Sequence, residues 1–137
     1  MSDPGHLLAV YLHLARASGQ RNRPLVRDRL LLLAGAVAAR MAIDPVAGYC
    51  RHLVLTHNPN HLIRRWPTYR QALASGDFRS FLAQLERRYP QEKAERLLQS
   101  LGIELAAERD SYFSDYEYAA SLLGTTPEAL DQMFPAA

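Results

Sequence analysis

Residues 57–67 read HNPNHLIRRWP. His57 and His61 stand four apart, Arg64 and Arg65 follow, and Trp66 closes the stretch between Pro59 and Pro67. Cys50 and His52 lie just upstream. Thiolate and imidazole are good zinc ligands, so the residue types suit a metal site. The spacing does not. On a helix Cys50 and His57 share a face, whereas His52 points about 200° away from Cys50. His57 and His61 would share a face only on a continuous helix, and Asn58-Pro59 argues against one. Neither CxxC nor HExxH occurs. Cys50 shares its helix face with Val46, Leu53 and Val54, where a free cysteine acts as a small apolar residue. The expectation is no metal and no cofactor. Cys50, His57 and His61 remain the residues of an alternative in metal-linked or Cys–His chemistry.

The same region offers binding chemistry instead. Arg51, His61, Arg64, Arg65, Trp66, Tyr69 and Arg70 mix bases with aromatic rings. Arginine, tryptophan and tyrosine are the types enriched at interface hot spots. Arginines also neutralise phosphates, and aromatic rings stack on unpaired bases. Arg21, Arg23, Arg27 and Arg29 crowd one helix entrance. The net charge is only +2, yet residues 1–70 set ten arginines against Asp3, Asp28 and Asp44, while residues 71–137 set six bases against eleven acids. Either one face is basic and meets a partner, or the two halves attract each other within one fold. The overall excess is weaker than dedicated nucleic-acid binders show. No Gly-rich phosphate loop and no nucleophile motif occurs, so no enzymatic activity is expected. The reading is a non-catalytic helical interaction module that binds a protein partner or a second copy through the basic-aromatic surface. Nucleic-acid binding by residues 16–70 is the alternative.

These side chains must be held by helices. No stretch alternates apolar and polar residues with β-branched enrichment, and Ala, Leu, Arg, Gln and Glu abound. The expectation is an all-α, single compact bundle of seven or eight mostly short helices around a buried central helix at about 24–41. It ends in a helix-turn-helix-like corner. Pro24 and Pro45 suit first helical positions. Asp44 and Asp77 suit N-caps. Thr68-x-x-Gln71 and Ser114-x-x-Glu117 are capping boxes, and Thr126-Pro127 starts the last helix. Gly19, Gly102 and Gly124 mark helix ends. Gly35, inside the central helix, would let another backbone approach closely.

The carboxyl-terminal corner, residues 115–134, holds Ala120 at the crossing and Gly124 at the turn. Its second helix carries Glu128 and Asp131, which would repel phosphate, so it is not expected to read DNA. This acidic helix pair is a second candidate surface for a protein partner. The length of 137 residues suggests one domain. The apolar run LLLLAGAVAA is ten residues long, against about 20 needed to cross a bilayer, so no membrane association is expected. One cysteine forms no intrachain disulfide, and a cytoplasmic setting is the expectation.

Within HNPNHLIRRWP, His57 is read as the end of a helix, Asn58 as its left-handed cap and Asn60 as the cap of a short following helix. Leu62, Ile63 and Trp66 should hold that turn against the core, with Arg64 and Arg65 pointing elsewhere.

Overall fold

The apolar run at 30–39 is buried on every side of its helix. In the computed structural model, which describes residues 3–134, that helix is α2 (Pro24–Arg40). It packs along α1 (Pro4–Gln20) and α3 (Asp44–His57). A 3₁₀ turn (Leu62–Arg65) leads to α4 (Tyr69–Ala74) and α5 (Gly76–Arg88), both packed on α2. Then come α6 (Gln91–Ser100), α7 (Leu105–Arg109), α8 (Asp115–Leu122) and α9 (Pro127–Met133). Among the described residues the fold is all-α: nine helices, seven of them at least seven residues long, and no strand. No helix of the described residues is long and apolar enough to cross a membrane.

Helix α1 has an apolar stripe in the sequence, yet residues 8–15 are all buried. The reason is that α2, α6 and α8 meet it from different sides. The core is therefore built on a central pair, α1 and α2. Each carries one buried polar residue, His13 on α1 and Asp28 on α2.

Local chemistry sets most helix ends. Thr68, Ser114 and Thr126 each accept a hydrogen bond from the backbone N–H three residues on, as the capping patterns require. Gly102 and Gly124 take positive φ values of 74° and 75°. Five expected caps fall elsewhere. Gly19 lies inside α1, and Asn22 takes the left-handed position at φ 59°. Asp44 spends its carboxylate on Arg70, with Nη2–Oδ2 at 3.1 Å. Asp77 lies in the first turn of α5, behind Ser75 at the cap. Asn58 is extended at φ −130°. Its side chain instead accepts from the Asn60 N–H, and His61, not Asn60, caps the 3₁₀ turn.

Gly35 does permit close approach, but by a side chain. A Cβ there would lie 2.9 Å from Cζ of Tyr69, whose ring is buried and whose hydroxyl donates to the Leu32 carbonyl. Gly35→Ala gains helix propensity of up to about 1 kcal/mol, but it drives a methyl into an anchored ring. The expected net result is a loss of about 1–3 kcal/mol, typical of overpacking, read as a lower denaturant midpoint at unchanged slope.

Ala42 carries the opposite lesson. It holds φ 61° at the end of α2, is exposed, and the next N–H, that of Ile43, closes on the Ala38 carbonyl at 2.8 Å. The left-handed region costs an L-residue roughly 1–2 kcal/mol, part of which glycine returns as unfolded-state entropy. Ala42→Gly should raise stability by about 0.5–1 kcal/mol, and an unchanged or lower midpoint would contradict this geometry.

Candidate functional site

The surface expected to bind is built on the 3₁₀ turn. Ile63 is fully buried and anchors it. The Ile63 N–H donates to His61 Nδ1 at 3.1 Å, and Trp66 N–H donates to the Ile63 carbonyl at 3.3 Å. Arg51 reaches over from α3, its Nε donating to the Trp66 carbonyl at 3.1 Å. The Trp66 indole is half-buried and meets Phe78 edge-to-face at 5.6 Å. The His61 ring meets Phe81 in the same way at 5.5 Å. Backbone and rings are thus fixed, while Arg64 and Arg65 stand exposed. Together with Asn60, His61 and Leu62 they line an open depression.

The seven expected residues divide three ways. His61, Arg64, Arg65 and Trp66 sit together at this turn. Arg51 and Arg70 flank it but are engaged, with Trp66 and Asp44 respectively. Tyr69 is 3% exposed and belongs to the core, beside Gly35. It presents nothing to a partner. The arginine cluster at the start of α2 also divides. Arg21 and Arg23 are exposed, Arg29 is half-buried, and Arg27 folds inward to Asp28 and the Leu53 carbonyl.

Among the described residues, only one arginine of residues 1–70 meets an acid of the second half: Arg40, 3.9 Å from Glu86. Mutual attraction of the two halves therefore leaves most of the basic face unneutralised. Arg64 and Arg65 make no ion pair among the described residues.

The candidate ligand residues are not brought together. Cys50 is fully buried, and burial pushes its thiol up to about 12, far from the thiolate that a metal or nucleophilic role needs. His57 lies two helical turns, about 10 Å, further along α3. It spends Nδ1 on Asp28 Oδ2 at 2.5 Å. His61 accepts the Ile63 N–H at Nδ1, which leaves a neutral ring its proton on Nε2 and no free lone pair for a metal. Among the described residues no group of three His, Cys, Asp or Glu side chains is arranged around one point.

Asp28 was not distinguishable in the sequence as a site residue, although Leu31, Leu32 and Gly35 share its helical face. It is 5% exposed and joins Arg27 (3.1 Å) to His57. An aspartate that orients a histidine is two parts of a nucleophile relay. The third part is missing among the described residues: no hydroxyl or thiol hydrogen-bonds to His57, and the Thr56 hydroxyl donates to the His52 carbonyl. The triad of Arg27, Asp28 and His57 ties α2 to α3.

His13 forms a second buried junction. Its Nε2 lies 2.8 Å from the Tyr118 hydroxyl and 3.7 Å from Glu108. Arg109 completes the attachment of the carboxyl-terminal helices, bonding Asp3 (2.7 Å) and Asp115 (3.0 Å) at once. Those bonds hold the Asp3 carboxyl at about 2.

Comparison with protein-family models, curated proteins and solved structures finds no match for this chain.

Burial lowers the pKa of both His13 and His61, partly offset by Glu108 and by Asp28 respectively. The unfolded chain then binds protons more readily than the native one as pH falls through about 6.5. Stability from these two sites is complete above that value and declines below it. The lowered carboxyls, Asp3 and Glu95, lose their contribution only nearer pH 4 and below. Denaturant midpoints followed by Trp66 fluorescence should therefore drop between pH 7 and pH 5. A flat profile across that window would contradict the burial of His13 and the partial burial of His61.

Proposed function

We propose that this chain is a non-catalytic interaction module that binds an acidic protein surface through Arg64 and Arg65, flanked by His61 and Trp66. One observation carries the reading. Two adjacent arginines stand exposed, without an ion-pair partner among the described residues, on a turn whose backbone and aromatic neighbours are locked. Guanidinium groups that are neutralised internally have little to offer a partner. These keep their full set of donors, arranged to pair with carboxylates two at a time. A fixed mount also reduces the ordering entropy that binding costs.

Nucleic acid is the competing partner, since the same donors pair with phosphate. The aromatic side chains weigh against it. Tyr69 is buried, and Trp66 and His61 are half-buried with one side packed on Phe78 and Phe81, so fewer rings are offered to unpaired bases than the sequence suggests.

The test is a titration of a fluorescein-labelled oligo-glutamate peptide and, separately, of DNA oligonucleotides at low and moderate salt. The peptide should bind, and Arg64→Glu/Arg65→Glu should weaken it about tenfold or more, since like charge now opposes like. Binding of DNA but not of peptide would replace this reading with the nucleic-acid one. Binding of neither would remove both.

A further inference from the structure

Phe113 is the most exposed apolar side chain among the described residues, at 100%. Single exposed apolar residues are common, but this one is presented rather than loose. It sits between α7 and α8, where Tyr112 stacks on Tyr118 at 4.9 Å and bonds Ser121, and where Ser114 caps α8. Both neighbours are fixed, so the ring is held out. Its surroundings are acidic. Glu104, Asp110 and Glu117 lie nearby in the chain and make no ion pair among the described residues. An apolar knob with an acidic rim fits a shallow site with an apolar floor and a basic rim. The depression at the 3₁₀ turn offers both chemistries, since Leu62 lines it together with Asn60, His61, Arg64 and Arg65. Guanidinium groups there can lie over an aromatic face and also meet carboxylates.

We infer that copies of this chain associate head to tail, Phe113 and its acidic loop on one copy entering the basic depression at His61–Arg65 on the next. This rests on the reading of the depression as a binding surface, and names its occupant. Among the described residues nothing covers Phe113, so its ring is free to enter a site on another copy. Knob and depression are different patches of the surface. The contact is therefore heterologous, each copy offers one of each, and assembly continues rather than stopping at a dimer. A contact made by one ring and a few charges is small, so the association is weak and falls with salt.

Sedimentation velocity on the full chain tests this. At low salt the weight-average mass should climb steadily with protein concentration, and it should fall back toward monomer at high salt. Phe113→Ser and Arg64→Glu/Arg65→Glu should each stay monomeric. Mixed together they should form a 1:1 complex, because the first retains the depression and the second retains the knob. That complex also shows that both variants are folded. A wild-type chain that stays monomeric over the whole concentration range overturns the proposal, as does a Phe113→Ser chain that still associates. The oligo-glutamate titration separates the two readings, since Phe113→Ser leaves the depression intact. Peptide binding retained beside a monomeric wild type removes self-association alone. Loss of peptide binding removes the surface reading beneath it.

Discussion

The Tyr69 ring occupies the space that a side chain on Gly35 would fill, and its hydroxyl donates to the Leu32 carbonyl of the same helix. This contact fixes α4 against α2. Through Thr68 and Trp66 it also fixes where the preceding 3₁₀ turn must lie. Phe78 extends the anchor, meeting both Tyr69 and Trp66 edge-to-face at 5.6 Å. The arginines that project to solvent are thus mounted on an aromatic group anchored in the core by Tyr69 and Phe78. Rigidity there comes from apolar packing, so the exposed charges need no internal partners.

Polar contacts serve a different purpose. Two buried junctions, Asp28 with Arg27 and His57, and His13 with Tyr118, fasten α3 and α8 to the central helices α2 and α1. Buried polar groups are costly unless bonded, and both Asp28 and His13 find a partner on another helix, His57 and Tyr118. They specify which helices meet. The Tyr11 hydroxyl adds a third such tie, donating to the Tyr89 carbonyl at 2.7 Å. Asp3, Arg109 and Asp115 do the same at the surface, where the pairs are solvent-screened and contribute less.

The stretch HNPNHLIRRWP shows how far reading the chain could go. That it interrupts the helices, that Ile63 points inward and that Arg64 and Arg65 point outward all followed from Pro59, Pro67 and the apolar spacing. That His61 rather than Asn60 caps the turn did not, because either side chain can accept a backbone N–H and only the packing of His61 on Phe81 selects one. Tyr69 illustrates the larger gap. An aromatic residue beside arginines suggests a binding surface, yet its place was set by a glycine 34 positions earlier. Phe113 is the converse, a large apolar residue that the fold leaves fully exposed.

Alone, the sequence determined the all-helical class, the buried run at 30–39 and most helix limits. These depend on prolines, capping side chains and glycines acting within three or four residues, so the information is local. Tertiary structure decided which polar groups meet: Asp28 with His57, 29 residues apart, and His13 with Tyr118, 105 apart. It also decided that α1 is as central as α2, that Cys50 is fully buried and that Arg64 and Arg65 make no ion pair among the described residues. The physical reason is that burial and pairing depend on what arrives from the rest of the chain. Helical periodicity names a face, but only the neighbouring helix determines whether that face is covered.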